Sequence, residues 1–456
     1  MNSDIKVLEI KAYFSLELAR YPLKFGAVTM DRITYAQIKV KVQNKAGNTA
    51  YGYGSIFLSD VWAFPTFAIS HEEKDKAMSE ITRRFSKMVL DYKEFAHPVE
   101  IFMDLEEDLK KLTKDISKEF NFKEEMPFLA GLVSASPIDA ALHDAFGNVN
   151  NISTYDGYSK DFMKHDISRW LGNSFKGKYI SDYIKKSYGE KIPVFHLVGG
   201  LDKLLESEID SKDPKDGLPV SLEKWAEADG LFCLKVKLRG KDLQWDVDRF
   251  VDVVKVTHKS NKEAKEFFFT VDTNEQCETP QYMIDFCMKV KEKYPLALEE
   301  MLYIEQPTER DLRLHKYDMS KLSKIKPVMI DESLISFEDF DLAMDLGWSG
   351  VALKVCKCHS SALLFMAKAD EAKIKYTVQD LTNPGIALLQ SAGFASRINT
   401  IKGVEANAHQ FYPNTSLPEA KVHPGVFKRE KGCLNLTTLK GSGFGYQMDK
   451  INRKFE

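Results

Sequence analysis

The 456-residue sequence contains no run of about 18 apolar residues, which excludes a membrane-spanning helix. Its start, MNSDIKVLEI, lacks the basic segment, apolar stretch and small-residue cleavage site of a signal peptide, so a cytoplasmic protein is expected. Neither sign of charge is in excess: 64 Lys and Arg face 67 Asp and Glu, a formal net charge of −3. That balance removes the electrostatic case for nucleic acid or an anionic membrane as partner, and the short basic clusters at 176–178 and 185–186 read as solvated surface. Cysteine is scarce. The six are scattered, and only Cys356 and Cys358 are close, a spacing too tight for a comfortable bridge and without the second pair of a zinc site. Reduced thiols are expected.

What is present is a globular composition, 44% hydrophobic and 29% charged, long enough for one to three domains. The first 60 residues read as antiparallel strands. Positions 34–42 alternate, with Gln37, Lys39 and Lys41 opposing Ile38, Val40 and Val42, and Gly47 closes a hairpin toward 50–55. Ser136-Pro137 reads as a helix start, with Ile138, Ala141, Leu142 and Ala145 as its stripe and Gly147 as its stop. From about 192 the texture changes. Apolar runs at 194–198, 232–238, 267–271, 302–304, 328–330, 350–353, 376–378 and 401–406 alternate with helix-length amphipathic stretches. Eight such runs fit a (β/α)₈ barrel; the rival, a doubly wound open sheet, lacks any GxGxxG or GxxxxGK[ST] after a strand.

Charges end these runs. Lys235 and Lys237 are two apart and share one strand face, opposite Leu234, Val236 and Leu238. Read alone, that pattern also fits a solvated edge strand. In a barrel both lysines point inward, where mutual repulsion and burial are expected to lower their pKa. FFFTVDTN ends in Asp272 and Asn274, LYIEQP in Glu305, and PVMIDES in Asp331 and Glu332. One such carboxylate is commonly a helix cap or an ion-pair partner. Three at consecutive strand ends converge on one barrel mouth and call for a cation, and an all-oxygen set suits Mg²⁺ or Mn²⁺. The sixth run ends in Lys354, with Lys357 a turn later. Two bases around a metal suit removal of a proton beside a substrate carboxylate, with the metal stabilising the enediolate.

In order, KVK at 235–237, VDTN at 271–274, IEQP at 304–307, IDES at 330–333 and ALKVCK at 352–357 resemble the enolase superfamily. The lysine on each side of the site resembles its muconate-lactonising-enzyme-like subgroup, within the mandelate racemase/muconate lactonising enzyme family. YPLKFG at 21–26 and the 51–55 region resemble the capping-domain loops, SPIDAALHDAFG the last capping-domain helix, and KGSGFGYQMD at 440–449 the tail that returns to that domain. The resemblance implies a (β/α)₈ barrel at 191–409 with an α+β capping domain from 1–190, and 410–456 returning to it. It implies Asp272, Glu305 and Asp331 as Mg²⁺ ligands and Lys237 and Lys354 as the acid/base pair. Lys235 is then a helper of Lys237, and Asn274 and Glu332 outer partners of the metal ligands. The seventh run ends TVQDLTNPG with no His, against the Asp–His pattern of sugar-acid dehydratases.

Two stretches, 148–192 and 201–230, are longer than barrel connections require and read as functional or interfacial. Specificity is expected to sit in 25–29, 57–62 and these two stretches, with Phe25, Thr29 and Phe57 as substrate contacts. His409, after the eighth run, reads first as a packing residue and second as a contact at the mouth. The expected protein is a homo-oligomeric enzyme for a small carboxylate, a racemase, epimerase or cycloisomerase. A β-eliminating lyase (o-succinylbenzoate-synthase-like or an acid dehydratase) and a non-catalytic barrel are the alternatives.

Overall fold

The computed structural model describes residues 1–25 and 28–453, with side chains of 23–25 and 28–29 outside the description. The alternating N-terminal segment forms a three-stranded antiparallel sheet in the order β1 (Ile5–Phe25), β2 (Val28–Asn44), β3 (Thr49–Phe57). Gly47, at φ +89, makes the β2–β3 turn. Ile38, Val40 and Val42 are buried, as their alternation requires. They face four helices: α1 (Asp60–Ala63), α2 (His71–Asp91), α3 (Pro98–Glu119) and α4 (Phe128–Val149). A Ser70–Glu73 capping box fixes the start of α2.

Helix α4 differs from the sequence expectation at both ends. It begins at Phe128, not at Ser136, because FLAGLVSAS is small and apolar enough to continue the buried helix backwards. Pro137 therefore lies inside it. The proline has no N–H for the Val133 carbonyl, and the Ser136 hydroxyl donates to that oxygen instead at 2.8 Å. Gly147 does not stop the helix either. It lies inside α4, where a Cβ would come within 2.7 Å of the Gly443 backbone. Strand β3 approaches α4 equally closely: a Cβ on Gly54 would lie 2.0 Å from the Pro137 carbonyl oxygen.

All eight expected apolar runs are strands of one closed parallel barrel. They are β4 (Lys191–Val198), β5 (Cys233–Lys237), β6 (Phe268–Asp272), β7 (Met301–Glu305), β8 (Val328–Ile330), β9 (Gly350–Leu353), β10 (Lys375–Gln379) and β11 (Val404–Glu405). β11 pairs with β4, Val404 opposite Val194, and closes the ring. A last strand, β12 (Cys433–Asn435), runs antiparallel to the first residues of β4. The chain beyond it reaches α4, where Phe444 N donates to Asp144 Oδ1 at 2.9 Å and the Ser442 hydroxyl to Asn148 at 2.8 Å. Among the described residues no helix is long and apolar enough to cross a membrane.

The two long connections have visible uses. In 148–192 the fully buried Tyr158 bonds His143 of α4 at 2.8 Å, and His143 in turn bonds Ser360, which begins a barrel helix, at 2.8 Å. The 201–221 loop is gripped by Arg20 of β1, which donates to Asp216 and to the Leu218 and Pro219 carbonyls.

The β3–α4 contact gives a stability test. Gly54→Ala should cost about 1–3 kcal/mol or more, because backbone rather than a flexible side chain meets the new Cβ. Gly47→Ala, with nothing within 4 Å, should cost only the roughly 1–2 kcal/mol of a left-handed backbone. Urea denaturation midpoints of the two variants check that order.

Candidate active site

Barrel register builds the site. Lys237 on β5 stands opposite Asp272 on β6, and Asp272 opposite Glu305 on β7. Asp331 follows β8, Lys354 follows β9, and Glu405 ends β11. The strand pleat sends Lys235 and Lys237 inward while Leu234 and Val236 join the apolar packing outside. Lys235 Nζ lies 2.7 Å from Glu305, 2.9 Å from Glu405 and 3.1 Å from Asp272. Lys237 Nζ is 2.5 Å from Asp272 and Lys354 Nζ 2.8 Å from Asp331. Lys357 donates to Asp331 twice, to its carboxylate at 3.1 Å and to its carbonyl.

The outer partners are also in place. Asn274 donates its backbone N–H to Asp272 at 2.7 Å and its amide to Glu332 at 3.4 Å. Asn274 and Gln306 hold left-handed φ values of +45 and +27 just past their strands, a conformation retained only where the surroundings enforce it. Gln306 is anchored by accepting from Asp331 N at 2.8 Å and donating to Ser333 at 2.8 Å.

The electrostatics correct one expectation. For Lys235 the expected lowering toward a neutral base does not occur, and Lys354 is not lowered either. Burial works in that direction, but the carboxylates outweigh it and hold both ammonium groups well above the ordinary lysine range. Burial also acts on Asp331, yet Lys354 and Lys357 bring its carboxyl down to about 2. Glu305 and Glu332 move the other way. Burial first, then neighbouring carboxylates, pushes each up to about 8.

Among the described residues no three His, Cys, Asp or Glu side chains are arranged to hold a metal ion directly. Asp272, Glu305 and Asp331 each turn an oxygen toward a lysine ammonium instead of toward one shared point. The donor chemistry nonetheless fits a hard divalent cation: three buried carboxyl side chains at adjoining strand ends, and the buried oxygens Glu332 Oε2 and Gln379 Oε1 accepting no hydrogen bond.

Of the expected substrate contacts, Phe25 and Thr29 lie outside the described side chains. Phe57 is buried between Tyr35 and Tyr412, with centroids at 5.4 and 4.7 Å, and its N–H goes to Asn383. His409 packs edge-on against Trp225 at 5.3 Å, and burial pushes its imidazole down to about 3. Sequence reasoning passed over Glu405 and Gln379. Glu405 had a signal, an acidic residue within an apolar run. Gln379 had none that a single sequence displays, and Trp62 was reached only as the end of the 57–62 stretch.

A profile of the enolase C-terminal domain-like family matches residues 218–451. The chain belongs to that family. Its structural relatives are of the mandelate racemase/muconate lactonising branch. A dipeptide epimerase from Enterococcus faecalis V583, complexed with Mg and L-Leu-L-Tyr, aligns at TM-score 0.61 and 15% identity over 96% of this chain and 99% of its own. A 2-chloromuconate cycloisomerase from Rhodococcus opacus 1CP aligns at 0.60 and 16% over 98% and 100%. An enolase from Bradyrhizobium complexed with magnesium and mandelic acid aligns at 0.59 and 13% over 98% and 96%. No curated protein matches the chain.

Lys235 is the hub of this network, so Lys235→Met should leave Glu305 and Glu405 buried without their shared cation. Breaking such a buried pair costs about 3–5 kcal/mol. A drop of that size in unfolding free energy, measured by urea titration, checks the assignment, and a surface change such as Lys224→Met should show none of it.

Proposed function

We propose that this enolase-superfamily enzyme removes and returns the α-proton of a small carboxylate substrate, with Lys237 and Lys354 as its two acid/base groups. One observation carries the reading. β5 and β9 are four strands apart in an eight-stranded ring, so the two lysines rise from opposite sides of one mouth. A planar enediolate between them presents one face to each. Protonation from the second face inverts the α-carbon, which is racemisation or epimerisation.

Asp272, Glu305 and Asp331 are the residues that would hold Mg²⁺ or Mn²⁺, which supplies Lewis-acid charge stabilisation for the substrate carboxylate. Asn274 and Glu332 would orient that set. Lys235 keeps Glu305 and Glu405 paired and holds positive charge where the carboxylate must arrive. Each substrate configuration uses one lysine as base and the other as acid. The β-eliminating alternative has one observation in its favour: Asp331 holds Lys354 in its charged form, which suits fixed electrostatic stabilisation. Dipeptides, N-acyl amino acids and acid sugars are the first substrate classes to test, the dipeptides on the likeness to the epimerase fold. We further propose that the enzyme works as a homo-oligomer.

Incubation of such carboxylates in D₂O should give deuterium at the α-carbon, abolished by EDTA and restored by Mg²⁺ or Mn²⁺. Full activity after metal removal would count against the carboxylate assignment. Lys237→Ala and Lys354→Ala should each reduce turnover by about 10²–10⁴-fold. Each should keep exchange for one configuration only, the two losses being mirror images. Equal exchange from both configurations in either variant would rule out the two-base reaction. A lyase instead gives an inactive Lys237→Ala and a weakened Lys354→Ala with no stereochemical mirror.

A further inference from the structure

The capping helix α1 places one side chain on the lysine rim. Trp62 is 4% exposed, and its indole N–H donates to Glu332 at 2.9 Å. The ring face lies 4.7 Å from Lys354 Nζ and 5.5 Å from Lys357 Nζ. Arg310, held by Glu275 at 2.7 Å, donates to the Trp62 carbonyl at 3.2 Å. The barrel thus fixes the indole at both its ring nitrogen and its backbone. An ammonium over an aromatic face is attracted by the ring quadrupole, more strongly when water is excluded, and Lys354 is only 5% exposed.

A lysine side chain has four rotatable bonds and does not hold its own position. Asp331 restrains Lys354 Nζ from one direction at 2.8 Å, and the indole supplies a second restraint. Lys237, half-way round the ring, is restrained by Asp272 at 2.5 Å, a barrel residue. We propose that Trp62 is a positioning residue for Lys354, so that the cap sets the geometry of one proton-transferring lysine and not of the other. This rests on the lysine-pair reading above. It adds an asymmetry: damage to this cap contact falls on one stereochemical direction.

The test compares the full-length wild type with Trp62→Leu and Trp62→Phe. Trace acylation by acetic anhydride, quantified peptide by peptide by mass spectrometry, reports the access of each lysine. Trp62→Leu should raise labelling of Lys354 relative to Lys237 by about tenfold, the scale of a desolvated cation–π contact. Trp62→Phe keeps a ring face and should restore most of the wild-type ratio. Equal changes at Lys237 and Lys354, or no change, overturn the proposal, because a purely structural role loosens the whole mouth together. If the Leu variant does not fold, Trp62→Met offers similar volume without a ring. The second readout is α-proton exchange in D₂O, with L-Leu-L-Tyr and its D-configured epimers among the probes. Trp62→Leu should slow exchange of the configuration that Lys354→Ala also loses and spare the other; equal slowing of both overturns the proposal. Absence of exchange by the wild type on every carboxylate probe counts against the reaction itself, while the labelling ratio still decides the role of Trp62.

Discussion

Five carboxylates and four lysine ammonium groups meet at the barrel mouth, none of them more than 8% exposed. Isolated burial of a charge is prohibitive, so all but Glu332 are placed against an opposite charge, and Glu332 takes neutral donors from Trp62 and Asn274. Lys235 shows how closely fold and charge depend on each other. It rises from the second barrel strand and touches carboxylates on the third, fourth and eighth. Such contacts exist only in a closed ring. An open sheet with the same strands would strand Lys235 far from Glu405.

Much of this was legible because barrel strands announce themselves twice, by a short apolar run and by the charge that ends it. VDTN, IEQP and IDES carry both signals, and the structure joins their acidic residues in one buried charge network at the mouth. The direction of the Lys235 perturbation was not legible. Repulsion between Lys235 and Lys237 is a local quantity visible from spacing, whereas the attraction that overrides it comes from residues up to 170 positions away. Helix ends misled for a related reason. Ser136-Pro137 has the local form of a helix start, but the Ser136 hydroxyl satisfies the carbonyl that the proline leaves free, and burial carries the helix through.

Trp62 belongs with the unreadable features. Nothing in DVWAFP distinguishes an indole packed within its own domain from one laid over lysines near position 355. The same holds for the 148–192 insertion, whose length was conspicuous but whose partners were not. Its buried Tyr158 bonds one ring nitrogen of His143 on α4, whose other ring nitrogen bonds Ser360 of a barrel helix, so cap and barrel are joined by hydrogen bonds that neither half completes alone.

The antiparallel pairing of β12 with the start of β4 bears on how the molecule is made. A ribosome releases the chain from its N-terminus, so β4 emerges about 240 residues before the strand that covers its leading edge. Asp144, likewise, waits some 300 residues for the Phe444 N–H that it accepts. The capping sheet and helices can collapse early, yet their last helix stays unfinished until residue 444 has been made. Early-formed parts of this protein are thus sealed by residues made far later, and a nascent chain stalled before residue 433 has an exposed strand edge and a carboxylate short of a partner.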